Sequence, residues 1–355
     1  MHSGHGAKIK VLMVDDSPSI LSLLQKGFAN HQEIEVVGTA KDAYDAREKI
    51  KALNPDVITL DVEMPRMSGL DFLERLMRLR PMPVVMLSSV TPEGSAAAVR
   101  ALSLGAVDVQ VKPSRGFNAA FMKDFAARVV AAARSRSRPV QPLDGLRAIA
   151  APANTAGFGR WNGKIVLIGA STGGVSALET VMRSMPADGP PIVVSQHMPE
   201  VFLRSFAERL HQKNAMNVQV ATDGTVLKQG HVYLAPGGDR HTIVEQRGKT
   251  FVCADKHGPK TNGHYPSVDE LFHSAVPFGE LVVGALLTGL GRDGAAGLKA
   301  LKDAGASTIG QDENTSTVYG MPRAAFEIGA VDTQLPIDAI ARQICRLTDK
   351  SMVTA

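Results

Sequence analysis

The sequence predicts an α/β protein of two domains in series, a doubly wound five-stranded parallel sheet followed by a second, mainly parallel α/β domain. Three observations lead there. Apolar runs of strand length alternate with segments of helical period. Those runs are nearly continuous, as in strands covered on both faces. The alternation breaks once, between Ser135 and Trp161, where SRSRPVQPLDGLRAIAAPANTAGFGRW holds no sustained period apart from a short LDGLRAI turn. The predicted divisions are a first domain at 8–134, a linker at 135–161 and a second domain at 162–350.

In the first domain KIKVLMVDD reads as a buried strand ending in Asp15 and Asp16. Ser17-Pro18 then supplies an N-cap and a proline for the first helical position, and Ile20, Leu21, Leu24 and Phe28 fall on one helical face. IEVVGTA is the second strand, followed by a helix with Tyr44 and Ile50 on its apolar side. PDVITLD is the third, ending in Asp61; GLDFLERLMRL is helical and PVVMLSS is the fourth strand. SAAAVRALSLG is a helix stopped by glycine, AVDVQVKP a fifth strand ending at Lys112, and FMKDFAARVVAAARSR the last helix.

After Trp161 the strands are KIVLIGA, PIVVSQH, NVQVATDG, HVYLAPGG, ELVVGALLTG and ASTIGQD. The helices are VSALETVMRSM, EVFLRSFAERLHQK, SVDELFHSAV, GAAGLKALKDAG and IDAIARQICRL. TIVEQRGKTFVCAD reads as a small hairpin around Arg247-Gly248.

Composition narrows the class. At 355 residues the chain is long enough for two or three domains, and its 44% hydrophobic and 21% charged residues are the balance of an ordinary globular protein. The net charge of +4 has no long basic run or basic–aromatic cluster behind it, so no nucleic-acid partner is expected; the short ARSRSRP stretch at 133–139 reads as spacer. Cys253 and Cys345 lie far apart and outside any C-x-x-C pair, which argues against a disulfide framework or a cysteine zinc site. With no apolar signal core and no apolar span of membrane length, a cytoplasmic chain that is not membrane-inserted is expected.

In an open parallel sheet, functional groups gather at the carboxyl ends of the strands. In the first domain those ends carry Asp15 and Asp16, Asp61, Ser88 and Lys112. A carboxylate trio is costly unless a cation neutralises it, and oxygen ligands beside a phosphate suit Mg²⁺. Asp61, the lone acid at its strand end, is the candidate nucleophile for a phosphoryl group, with Ser88 and Lys112 binding phosphoryl oxygens. VDD, DVEMP, SS and VKP in this order resemble the receiver domain of two-component response regulators, a flavodoxin-like fold. Ser68 stands where many receivers carry an acid.

In the second domain IGASTGG, residues 168–174, joins a strand to a helix, an arrangement used both by phosphate cradles and by nucleophile turns. A dinucleotide fingerprint needs a glycine where Ser171 stands and an acid at the end of the next strand, which instead ends Ser195-Gln196-His197. Gly169-Ala170-Ser171-Thr172-Gly173 does match G-x-S-x-G. His197 at the next strand end is placed to accept the serine proton, and Asp293 in LGRDGAAG to orient the imidazole. Taken singly, each has a plainer alternative: His197 as a cap of the helix after it, Asp293 as an N-cap before GAAGLKAL. The chain order Ser–His–Asp is not that of α/β-hydrolases. Oxyanion donors are expected from the Thr172 backbone, with Leu290–Gly291 the second candidate. A rival class, a receiver driving a DNA-binding module, lacks any helix-turn-helix with a basic face.

IGASTGG, SQHMP, SFAERL, VYLAPGG, PSVDELF, LTGLGRDGAAG and QDENTSTVYGMPRAA together resemble the catalytic domain of the chemotaxis protein-glutamate methylesterases, the CheB family. The resemblance implies a nucleophile at Ser171, a base at His197 and an orienting acid at Asp293, with no catalytic-domain cofactor. Leu290 stands where that family is expected to have methionine, and His241, His257 and His264 are assigned surface or structural roles. It further implies demethylation of glutamate esters, with deamidation of glutamines, on chemoreceptor helices at receptor clusters of the inner membrane. A chemotaxis histidine kinase would phosphorylate Asp61 and so relieve cover of the catalytic strand ends by the receiver.

Overall fold

The computed structural model describes residues 7–89, 91–113, 116–135 and 159–352. The LDGLRAI turn, residues 136–158 of the predicted linker and the end of ARSRSRP lie outside the described residues. The chain divides into two compact units, residues 1–145 and 146–355.

The first unit runs β1 (Ile9–Val14), α1 (Pro18–Phe28), β2 (Ile34–Ala40), α2 (Ala43–Leu53), β3 (Val57–Asp61), α3 (Gly69–Leu79), β4 (Val84–Ser88), α4 (Pro92–Ser103), β5 (Asp108–Val111) and α5 (Ala119–Ala133). The strands form one sheet in the order β2-β1-β3-β4-β5, every pairing parallel. Every residue of β3 and β4 is buried, the reason these runs are apolar without alternation. Phe28 of α1 stacks on Phe125 of α5 at 5.6 Å between ring centroids, sealing one face over Val11, Val57 and Val85. Ser17 caps α1 with Pro18 in its first turn, as its sequence predicts.

Tyr44 departs from expectation. It is 54% exposed with the Arg66 guanidinium over its ring. The buried stripe of α2 is Ala43, Ala46 and Ile50. Tyr44 lies one residue, about 100°, off it.

The second unit runs β6 (Ile165–Ala170), α6 (Gly174–Arg183), β7 (Ile192–Gln196), α7 (Glu200–Lys213), β8 (Asn217–Val220), β9 (His231–Leu234), β10 (Arg240–Arg247) and β11 (Thr250–His257). It continues with α8 (Val268–Ser274), β12 (Val282–Leu286), α9 (Ala295–Asp303), β13 (Ser307–Gln311), α10 (Met321–Glu327), β14 (Thr333–Leu335) and α11 (Ile337–Thr348). Its seven-stranded sheet has the order β14-β13-β12-β6-β7-β9-β8, again wholly parallel. β10 and β11 form the antiparallel hairpin, two residues longer at each end than the quoted segment. The short α10 and β14 are not foreseen, being too brief to show a period. Residues Arg160 and Asn162 pair with the end of α11: Lys350 N–H donates to the Arg160 carbonyl at 2.7 Å and Asn162 N–H to that of Thr348 at 3.0 Å.

The strand order has one functional consequence. β12, late in the chain, pairs with β6, while β7 pairs with its other edge. The sheet therefore reverses direction of growth between β6 and β12, and the loops after β6, β7 and β12 open at that crevice.

Candidate active site

The first unit brings its predicted groups to one edge. An oxygen from each of Asp15, Asp16 and Asp61 lies within 4.8 Å of the others; Asp15 and Asp61 are buried and Asp16 exposed. Lys112 Nζ bridges the two buried acids, 2.9 Å from Asp15 Oδ2 and 2.7 Å from Asp61 Oδ2. Ser88 is buried beside them, its hydroxyl within 3.2 Å of the Ser89 and Gly94 carbonyls, so its proton is engaged with backbone here. Burial pushes the Asp61 carboxyl up to about 6, the Asp15 charge adding to it and Lys112 opposing.

That shift has a stability consequence. Between the unfolded value of 3.8 and about 6 the folded chain holds the Asp61 proton more tightly, so stability falls as pH rises through this window. We expect Asp61→Asn, which carries no charge, to stabilise the metal-free first unit by about 1–3 kcal/mol above pH 7. Thermal melting at pH 7.5 and pH 4.5 checks this: the gain shrinks at the lower pH, and a lower Tm at pH 7.5 contradicts it.

In the second unit the turn after β6 fixes Ser171, which is buried with only 6% of its surface exposed. Ser171 N–H donates to the Thr288 carbonyl at 3.0 Å, and the Ser171 carbonyl accepts from Gly174 N–H at 2.7 Å. Gly173 between them has φ 79° and ψ −4°, the third position of a type II turn, where a Cβ would be strained and would meet Thr317. Gln196, the last residue of β7, donates from Nε2 to the carbonyls of both Ser171 and His197 at 3.0 Å. His197 N–H donates to the Ala170 carbonyl at 2.9 Å. The serine and histidine loops are therefore cross-braced through their backbones. No direct Ser171–His197 hydrogen bond forms among the described residues.

His197 and Asp293 are both buried and meet through His197 Nε2 and Asp293 Oδ2 at 2.7 Å. His197 Nδ1 is buried with no hydrogen-bond partner among the described residues, and is the ring nitrogen available to take a proton. Burial alone would raise the Asp293 carboxyl. The His197 hydrogen bond and charge, the Asn262 amide and the Val268 N–H outweigh it and hold Asp293 well below the usual carboxylate range. Asp293 does not cap the helix it precedes; Gly294 occupies that position, and the carboxylate accepts instead from Val268 N–H at 2.7 Å and Ser267 Oγ at 2.9 Å at the start of α8. Thr172 is buried, with its carbonyl accepting from Thr288 Oγ1 at 2.9 Å, and Leu290 is half-buried in the β12 loop.

Two residues outside the sequence-derived set touch this pair. The His264 ring, for which a surface or structural role is expected from the sequence, stacks on His197, centroids 3.7 Å apart and planes 12° from parallel. Asn262 donates to Asp293 Oδ1 at 2.7 Å. Both lie in an irregular loop that offers no period, and only the Asn-Gly turn signal marks it. His241 is structural as expected: its Nε2–H faces the Pro259 carbonyl at 3.0 Å while Nδ1 accepts from Ser267 N–H at 3.1 Å.

Fold and site define a class, a response-regulator receiver joined to an α/β domain with a serine and a His–Asp pair at its sheet crevice. Residues 11–118 match the response regulator receiver domain, and residues 166–344 match CheB methylesterase. A protein-glutamate methylesterase/protein-glutamine glutaminase of Rhizobium etli is 51% identical over 343 residues, 96% of this chain and 97% of its own length. One from Caulobacter vibrioides is 48% identical over 343 residues, 96% of this chain and 98% of its own. The Thermotoga maritima CheB methylesterase catalytic domain, known from a crystal structure, aligns with a TM-score of 0.51 and 36% identity over 52% of this chain and 99% of that one. The chain belongs to the CheB methylesterase family.

Proposed function

We propose that this chain is a phosphorylation-regulated protein-glutamate methylesterase and protein-glutamine deamidase of chemotaxis adaptation, with Ser171, His197 and Asp293 as its catalytic residues. The observation that carries the assignment is the buried His197–Asp293 pair, 2.7 Å long, whose other ring nitrogen is left unpartnered on a loop braced to the Ser171 turn. Ser171 Oγ attacks the γ-carbonyl of the ester as its proton passes to His197 Nδ1. Asp293 stabilises the resulting imidazolium across Nε2–H. The tetrahedral oxyanion is held by backbone N–H groups of Thr172 and the Leu290 loop. Collapse breaks the bond to methoxide, which takes the proton from His197 and leaves as methanol. Water, deprotonated by His197, then cleaves the acyl-enzyme to glutamate and free Ser171. With a glutamine substrate the same steps release ammonia.

In the receiver, Asp61 accepts the phosphoryl group from a chemotaxis histidine kinase, with Ser88 and Lys112 on its oxygens. The acidic cluster fits a magnesium ion: its oxygens converge, and one ammonium faces several carboxylates. Asp15, Asp16 and Asp61 would hold it, and the ion when bound supplies charge neutralisation for the incoming phosphoryl group. Chemoreceptor cytoplasmic helices are the substrate, which draws the enzyme to receptor clusters. No helix among the described residues is long and apolar enough to cross a membrane.

Methanol release from methylated receptor membranes, with and without a small phosphodonor and magnesium, tests the proposal. Asp61→Asn is expected to keep basal release and lose the stimulation; stimulation that persists would move the phosphoacceptor elsewhere. Gly289→Ala tests the floor of the site. A Cβ there would run into Met321 Sδ and the Ser171 Cβ, while three backbone hydrogen bonds fix the position. Displacement of Ser171 by even a fraction of an ångström is expected to lower kcat roughly 10- to 100-fold. Unchanged kcat would show that the site yields.

A further inference from the structure

Asp293 has a second buried carboxylate as its neighbour, and one side chain bridges the two. Asn262 Nδ2 lies 2.8 Å from Asp269 Oδ2 and 2.7 Å from Asp293 Oδ1. A primary amide carries two N–H donors, so it serves both acids at once. Asp269 Oδ1 accepts from Gly297 N–H at 2.7 Å at the start of α9, and Asp293 Oδ1 is also reached by Ser267 Oγ. The histidines facing the pair are His197, with His264 stacked over it, and His273 of α8 near Asp269. No lysine or arginine pairs with either acid among the described residues. The amide is therefore the one side chain that donates to both acids among the described residues.

The backbone prepares this placement. Asn262 has φ 53°, a left-handed conformation that asparagine tolerates better than most residues. Its turn is closed by His264 N–H donating to the Thr261 carbonyl at 3.0 Å, and the same turn delivers the His264 ring onto His197. Thr261 Oγ1 donates to Glu270 Oε1 at 2.6 Å, tying the turn to α8. One turn thus contacts the acid and the base of the site together.

We propose that Asn262 is a positioning residue for the His197–Asp293 pair: its amide keeps Asp269 and Asp293 together as two ionised carboxylates and fixes Asp293 on His197 Nε2. The inference rests on the assignment of Ser171, His197 and Asp293. Without the amide, two like charges in a buried site share one proton. A proton on that pair withdraws the charge that stabilises the imidazolium. Burial and the Asp293 charge raise the Asp269 carboxyl, while the Gly297 N–H and the Asn262 amide oppose that rise.

The test is the pH dependence of methanol release by full-length Asn262→Gly, which removes the amide and still allows positive φ. We expect kcat to fall roughly 10- to 100-fold with KM unchanged, and the acid limb of kcat/KM to move up by about one pH unit. Asn262→Asp, which keeps the shape and adds a third carboxylate, moves the limb further. The double variant Asn262→Gly, Asp269→Asn has no second charge, and its acid limb returns to the wild-type position. A merely structural role predicts a lower Tm or active fraction with an unmoved limb, and no rescue by Asp269→Asn; that result overturns the proposal. Ser171→Ala, measured in parallel, separates the two levels. If it is inactive while the Asn262→Gly limb is unmoved, only the positioning role fails; if it is active, the triad fails and the positioning role with it.

Discussion

Ser171→Ala is expected to abolish methanol release from methylated receptors, lowering kcat by at least about 10³-fold, and to abolish glutamine deamidation in parallel. The residual rate would come from substrate binding and oxyanion donors, which the substitution leaves in place. The loss should be purely chemical. The turn around Ser171 is held by backbone hydrogen bonds, from Ser171 N–H to Thr288 and from Gly174 N–H to Ser171, and alanine keeps both. The Tm is therefore expected to stay within a few degrees of wild type, since alanine fills the same buried position and keeps the backbone hydrogen bonds of the turn. Full release by this variant would remove Ser171 as nucleophile and leave the braced turn without a catalytic purpose. Loss of release with a collapsed Tm would instead mean that the hydroxyl supports the fold.

Asp293→Asn is expected to cost about 10³- to 10⁴-fold in kcat, and unlike Ser171→Ala it should also destabilise the second unit. The carboxylate accepts from His197, Val268 N–H, Ser267 Oγ, Asp269 N–H and Asn262, and it donates to none. An amide replaces one acceptor oxygen by NH₂, so whichever way it turns it points a donor at donors. One misplaced buried donor costs about 1–3 kcal/mol. The pH dependence gives a second check. Asp293 is held below its usual value in the folded chain, so its contribution is present above the unfolded value of 3.8 and is lost as pH falls below it. The stability gap between wild type and Asp293→Asn should therefore narrow under acid. A gap that is constant from pH 7 to pH 3, or wild-type kcat, would contradict the role assigned to this carboxylate.

Much of the fold is legible in local pattern because the cause is local. Strands covered on both faces must be apolar throughout, and VITLD and VVMLS are wholly buried. A serine before proline caps a helix wherever it occurs, as Ser17 does. The rule that side chains at carboxyl strand ends converge is general for parallel sheets, which is why Asp15, Asp61 and Lys112 meet, with Ser88 buried at the neighbouring strand end. Tyr44 shows the limit. Its helix is correctly placed, but the turn of a helix that faces the core depends on what packs against it, and here alanines fill that stripe.

By itself, then, the sequence determined two parallel α/β units, the acidic cluster with Lys112, and Ser171, His197 and Asp293 as groups delivered to strand ends. Only the tertiary structure decided how they are held. β12 pairs with β6 although more than a hundred residues separate them, and that pairing brings the Asp293 loop to the crevice where Ser171 and His197 stand. It also decided that His197 presents Nε2 to the acid and keeps Nδ1 free, that Gln196 braces two loops, and that Asn262 and His264 press on the acid and the base. Periodicity reports which face of an element is buried, because burial repeats along the chain. It carries no record of which loop lies against which, since that is settled by strand order and by hydrogen bonds between residues far apart in sequence.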